Sequence, residues 1–145
     1  MKASYTSYEL VKRYEGCRLT PYMDMVGIWT VGYGSTTEVV PGERISQAEA
    51  EDRLQEDMEI AEACVNGAVT STLTQNQFDA LCSWVFNLGC KRFRESTMLA
   101  KINAGEWDQA AIELRKWDMA GGRHVDGLMR RRRDESKLFE SKETA

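Results

Sequence analysis

Three residues near the start of the chain have the types that acid–base chemistry on a glycosidic bond requires. Glu15 and Asp24 have eight residues between them, and Asp24 and Thr30 have five. Such a bond is cleaved by one carboxyl that protonates the leaving oxygen and a second that stays ionised beside an attacking water. Glu15 is expected among Tyr14, Tyr22 and Trp29, where desolvation favours the protonated acid. Asp24 falls in a glycine-rich turn open to water, and the Thr30 hydroxyl could hold the water. Spacing alone does not decide the matter. Glu15 could instead pair with Arg13, Arg18 or an arginine near the C-terminus, Asp24 could only shape a turn, and Thr30 could only fill a strand.

The chemistry needs a helix end set against a hairpin. Leu10, Val11 and Tyr14 follow Ser7 at the spacing of one helical face, and Gly16 ends that helix beside Glu15. Pro21 biases Thr20 away from helix, and Gly27 can take the positive φ of a turn before the β-rich "IWTVGYG". Residues 17 to 40 are therefore expected to form an antiparallel hairpin or a three-stranded sheet.

Helices follow. Ser46 with Glu49, and Thr74 with Gln77, have the spacing of capping boxes. Leu54, Met58, Ala61 and Val65 form the inner stripe after the first box. Phe78, Leu81, Cys82 and Val85 form it after the second, up to Gly89. "ESTMLAKINAG" reads as a short helix closed by Gly105, and "EWDQAAIELRKWDMAGG" as one stopped by Gly121 and Gly122. The last, "DGLMRRRRDESKLFES", places Leu128, Arg132, Glu135 and Leu138 on one stripe.

The expected fold class is α+β, helix-weighted, with a small N-terminal β lobe, a larger C-terminal helical lobe and a cleft between them. One domain is expected over residues 1–145, with about 15–65 as the small lobe and its connecting helix and 66–145 as the helical lobe.

Composition narrows the function classes. At 42% hydrophobic, the chain can bury a core of ordinary size, and only the closing "ESKETA" is expected to be disordered. A net charge of −4 argues against nucleic acid as a partner, although "RHVDGLMRRRR" is locally basic and residues 43–62 are strongly acidic. Of Arg130 to Arg133, at least one must turn inward on a helix. The expectation is ion pairing with the acidic helix around Glu51 to Glu62, the alternative an attraction to an anionic polymer.

A single histidine, His124, leaves no His-based metal site in view, and no metal or cofactor is expected. Cys17, Cys64, Cys82 and Cys90 lack metal-ligand spacing and read as buried free thiols, with an oxidised pair as the alternative and no pairing preferred. Neither a signal-peptide core nor a membrane span is visible, so a cytoplasmic protein without stable membrane insertion is expected.

The segment "EGCRLTPYMDMVGIWTVGYGST" resembles the Glu-x8-Asp-x5-Thr motif of phage lysozyme-type endolysins, the T4-like muramidases of glycoside hydrolase family 24. "TQNQFDALCSWVFNLG" is similar to their central core helix, and "WDMAGGRHVDGLMRRRRDE" to the C-terminal signature of lambdoid members. The resemblance covers most of the chain in the right order.

It implies a lysozyme-like fold, and hydrolysis of the β-1,4 bond between N-acetylmuramic acid and N-acetylglucosamine in peptidoglycan during host cell lysis. Glu15 would be the general acid, and Asp24 and Thr30 would orient water for an inverting displacement. Gly34, Thr36, Phe86 and Ser96 would contact substrate; core packing is the rival reading for Phe86. Asn87 would meet a sugar amide or close its helix. A monomer that accumulates in the host cytoplasm and acts on the periplasmic wall once a holin permeabilises the membrane is also implied.

The chain departs from the family pattern at Ser35, where relatives carry histidine, and at Glu113, where the pattern has an amide. Cys17, two residues after Glu15, reads as structural or incidental. Two rival functions remain, a lytic transglycosylase and a non-catalytic wall-binding module. The intact Glu15, Asp24 and Thr30 argue against both.

Overall fold

A computed structural model describes residues 1–142. Helix α1, Tyr5–Glu15, buries Ser7, Leu10 and Val11. It stops at Gly16, whose φ of 66° is open to glycine and whose N–H bonds the Lys12 carbonyl. Glu15 is thus the last helical residue.

Strands β1, Arg18–Met23, and β2, Trp29–Gly32, pair antiparallel with Tyr22 opposite Thr30 and Met23 opposite Trp29. The register shifts between Arg18 and Tyr22, where Pro21 can donate nothing to a ladder. A third strand is reduced to one bridge, Val31 to Ser35.

The long helix α2, Gln47–Ala68, runs from the hairpin into the helical bulk. Ser46 caps it by accepting from the Glu49 N–H, but the Glu49 carboxylate faces Arg53 at 3.6 Å instead of completing the expected box. Thr74 and Gln77 do form a full capping box at the start of α3, Gln75–Leu88. Phe78 to Val85 are buried without interruption, Asp79 and Ser83 included, so α3 is enclosed around its circumference and forms the centre of the core. It packs against α2, α1 and the last helix of the chain.

Three short helices follow: α4, Cys90–Glu95; α5, Thr97–Asn103; and α6, Trp107–Arg115. The helix expected to run to Gly121 ends at Arg115. Strands β3, Met119–Ala120, and β4, Arg123–His124, pair there as a ribbon, and Gly121 (φ 58°) and Gly122 (φ 78°) supply its turn. Two adjacent positive φ values make a two-residue hairpin turn, so these glycines do more than stop a helix. Helix α7, Asp126–Glu140, closes the fold against α3 and α6. Its final Glu140 pairs with Arg115 at 2.8 Å, which contradicts disorder at that residue of "ESKETA"; positions 143–145 lie outside the described residues.

The architecture is α+β, a small β lobe against a helical bulk. Among the described residues no helix is long and apolar enough to cross a membrane.

The cysteines differ from the expectation of four free thiols. Cys64 on α2 and Cys90 at the start of α4 are disulfide-bonded, with Cα atoms 5.8 Å apart. Cys82 is a buried free thiol, pushed well up from its ordinary value by burial, and Cys17 is free and exposed. Spacing carries no trace of the pairing, because the direct contact of α2 with α4 is made by the tertiary packing.

Candidate active site

Glu15 leaves α1 with its side chain 20% exposed, and one partner fixes it. Arg131 Nη1 on α7 donates to Glu15 Oε2 at 2.5 Å. Arg131 is itself only 3% exposed; it donates through Nε to Glu135 Oε2 (3.2 Å) and through Nη2 to the Ser83 carbonyl (3.2 Å). Glu135 is fully buried and also accepts from Ser83 Oγ (2.6 Å) and Arg132 Nη2 (2.9 Å). Burial pushes the Glu135 carboxyl up while Arg132, Arg131 and Ser83 pull it back, and burial likewise lowers Arg132. A buried network of this kind acts as a rigid bracket because each member holds the next.

Arg131 and Arg132 are therefore the inward arginines of the run. The expected partnership with the acidic helix does not form: among the described residues, none of the four arginines pairs with α2. The alternative that Glu15 pairs with a C-terminal arginine is what the structure holds, and the apolar surround expected for Glu15 is replaced by a guanidinium. Tyr14, one residue earlier, turns its hydroxyl to Asp134, and Trp29 is 37% exposed.

The opposite face of Glu15 meets the hairpin. Oε1 lies 3.1 Å from where a Cβ on Gly34 would stand, and Gly34 has φ 84°. Backbone shape and steric room both demand glycine there. Gly34→Ala is expected to displace the carboxyl and lower kcat by about tenfold to a hundredfold, read from initial cleavage rates beside a thermal melt. An unchanged kcat would show that Glu15 Oε1 does not need this room.

Across β1 and β2, Tyr22 and Thr30 are opposite partners and so share one face of the ribbon. The ladder continues past Met23, because the Asp24 N–H donates to the Ile28 carbonyl at 2.9 Å, which puts Asp24 on that same face. Asp24 does shape the turn: Oδ1 accepts from the N–H groups of Val26 (3.0 Å) and Ile28 (2.8 Å). Oδ2 accepts no bond among the described residues. Thr30 is 4% exposed and donates its hydroxyl proton to the Ile28 carbonyl at 3.0 Å, which leaves its oxygen free to accept.

The hairpin is tied to the helices through Glu51. Lys12 bonds it at 2.9 Å, and the Tyr33 hydroxyl donates to it at 3.2 Å. The Lys12 hydrogen bond chiefly holds the Glu51 carboxyl below its usual range.

A groove of about 260 Å³ runs between the hairpin, α2 and the end of α3. Gly34, Thr36 and Phe86, three of the four residues expected to contact substrate, line it. Phe86 is half-buried, so it packs and faces the groove at once. Ser96 is elsewhere. It is 7% exposed and caps α5, donating to the Phe93 carbonyl (2.6 Å) and accepting from the Leu99 N–H (3.1 Å). Both of its bonds are internal, so the structure places it in the scaffold.

Asn87 Oδ1 is buried without a hydrogen-bond partner among the described residues. Ser35 accepts from Arg53 Nη1 at 3.2 Å. Glu113 is engaged by Lys116 at 2.7 Å. A larger concavity, about 510 Å³ between α1 and α7, contains neither Glu15, Asp24 nor Thr30. No group of metal-ligating side chains is found among the described residues.

Comparison with known proteins identifies the family. The phage lysozyme family matches residues 12–135. An endolysin of Acyrthosiphon pisum secondary endosymbiont phage 1 is 43% identical over 97% of this chain and 99% of its own length. The endolysin of Bacillus phage PZA is 38% identical over 97% of this chain, which spans only 56% of that protein. The solved muramidase domain of SpmX from Asticaccaulis excentricus superposes with a TM-score of 0.91 at 35% identity, covering 97% of this chain and 99% of that one. On this evidence the chain belongs to the phage lysozyme family.

Proposed function

We propose that the protein is an endolysin, a lysozyme that hydrolyses the β-1,4 bond between N-acetylmuramic acid and N-acetylglucosamine in bacterial peptidoglycan. The family match supports the reaction class, and the observation that carries the assignment of roles is the bracketed Glu15. Arg131 can only donate, so Glu15 Oε2 must accept. The acid proton is then carried on Oε1, the oxygen that faces Gly34 and the hairpin.

From Oε1 the proton passes to the glycosidic oxygen as its bond to the anomeric carbon breaks. Water attacks that carbon. Asp24 Oδ2, unengaged in the turn, accepts the water's proton, and Thr30 accepts the second hydrogen bond that aims it. Gly34, Thr36 and Phe86 line the adjoining groove and would seat the sugar.

Relatives include proteins named SAR-endolysins, from Enterobacteria phage P21 among others. For this chain the proposal is accumulation as a cytoplasmic monomer and release through a holin-permeabilised membrane.

The test is turbidity loss of outer-membrane-permeabilised Gram-negative cells, with analysis of the released fragments. Reducing muramic acid ends are the expected result. Anhydro ends would move the assignment to a transglycosylase, and wall binding without release would make it a binding module.

A further inference from the structure

The groove beside the catalytic hairpin contains a carboxylate that neither the proton transfers nor the fold accounts for. Asp57, on α2, lines it together with Gly34 and Thr36 on the hairpin side and Phe86 and Gly89 on the α3 side. Asp57 is half-buried, and among the described residues it makes no hydrogen bond and no ion pair. Its natural helical partner is Arg53, four residues earlier. Arg53 is turned away: it donates to Ser35 Oγ (3.2 Å), the Thr37 carbonyl (2.5 Å) and the Glu38 carbonyl (3.2 Å), and faces Glu49 at 3.6 Å.

Burial therefore pushes the Asp57 carboxyl up from its ordinary value, and neighbouring Glu56 adds to this while Arg53 opposes it. A half-buried carboxylate without a partner costs folding free energy. Groups of this sort concentrate where a ligand supplies what the fold withholds.

The rest of the groove says which ligand group would supply it. Ile60, Ala61, Val85 and Phe86 are apolar, and Thr36 offers one hydroxyl. An acetamido group has both halves of the match, a methyl for the apolar wall and an amide N–H for a strong acceptor. At about 260 Å³ the groove is smaller than a drug-sized site, so it suits one sugar unit and its substituent.

We propose that Asp57 is a substrate-binding residue whose carboxylate accepts the acetamido N–H of an N-acetylhexosamine seated between the hairpin and α3. This rests on the peptidoglycan-hydrolase reading above, and it adds a chemotype preference to it: Asp57 holds the amide N–H while the apolar wall of Ile60, Ala61, Val85 and Phe86 selects for the acetyl methyl. Chemically de-N-acetylated wall keeps a nitrogen donor, now an ammonium, but loses the methyl that the apolar wall holds.

The test uses Asp57→Ala and Asp57→Asn on soluble N-acetylated glycan strands and on the same strands after chemical de-N-acetylation. On the acetylated strands Asp57→Ala is expected to raise KM by about tenfold with kcat little changed, the size of a lost hydrogen bond to a charged group. Asp57→Asn keeps a neutral acceptor and is expected to lose less.

A thermal melt separates recognition from folding. The folded pKa is raised, so the charged form burdens the fold at neutral pH and the burden is absent once pH falls below the unfolded value of about 3.9. Asp57→Asn is therefore expected to melt higher than wild type at pH 7 and level with it in acid.

Unchanged KM for Asp57→Ala overturns the proposal. So does a loss confined to the de-N-acetylated strands, which would make an ammonium the true partner. If wild type cleaves neither substrate, the hydrolase reading fails separately, and anisotropy of labelled acetylated strands still decides Asp57: weaker binding by Asp57→Ala supports it and equal binding overturns it.

Discussion

Glu15→Gln loses turnover by about 10²–10⁴-fold, the usual contribution of a positioned general acid, while the protein stays folded. The amide has the shape of the acid and can still accept the Arg131 hydrogen bond at the position of Oε2. It has no acid proton to give from the side that faces Gly34. Arg131 is not stranded by the change, because Glu135 and the Ser83 carbonyl still engage it. Substrate affinity should therefore hold, with the loss appearing in kcat rather than KM. The assay is release of reducing ends from purified wall, beside a melt and a binding curve for the same preparation. Clearing at the wild-type rate would remove Glu15 from the mechanism altogether.

The second large effect is on stability. Glu135→Ala should destabilise the protein by about 3–5 kcal/mol, because it leaves the buried Arg132 guanidinium with only the Trp117 carbonyl and takes from Arg131 one of its two carboxylates. Arg131 and Arg132 are 3% and 1% exposed, and neither can reach water without opening the packing of α7 on α3. Ser83 Oγ loses its acceptor as well. In a chain of this size the loss amounts to a melting temperature lowered by roughly 10 °C or more.

Activity at a temperature where the variant remains folded should also fall, because Arg131 would no longer be held against Glu15. Glu135→Gln retains a neutral acceptor and should fall between the two. A Glu135→Ala protein that melts within two or so degrees of wild type would mean that the bracket does not carry the fold. The Glu15 geometry would then need another support.

Much of this architecture follows from local pattern. The stripes Leu54, Met58, Ala61, Val65 and Phe78, Leu81, Cys82, Val85 are all buried as their spacing requires. The Thr74–Gln77 box closes where its residue types place it. Gly16 ends α1 and puts Glu15 at a helix terminus. Asp24 and Thr30 come to one face of the hairpin through alternation along two strands. Each feature depends on interactions within a few residues, which is why a linear pattern is enough to read them.

What the chain folds far apart in sequence to join could not be read in that way. Arg131 meets Glu15 across 116 positions, and Cys64 meets Cys90 across 26. A basic run on a helix shows that some side chain must turn inward; only the packing of α7 on α3 and α1 chose Arg131 and Arg132, and chose Glu15 and Glu135 to receive them. Glycine pairs are ambiguous for a related reason. Gly121 and Gly122 stop a helix or turn a ribbon equally well, and the pairing of Met119 with His124 decided for the ribbon.

Ser96 shows the limit on the functional side. A small polar residue suits a sugar contact or a helix cap, and the structure shows its hydroxyl on the Phe93 carbonyl and the Leu99 N–H. The sequence by itself determined the chemical types, their helix end and hairpin, and the family they belong to. Tertiary structure alone decided which charge holds the acid, which thiols pair and which carboxylate is left facing the groove, because those outcomes depend on contacts between elements that no local spacing encodes.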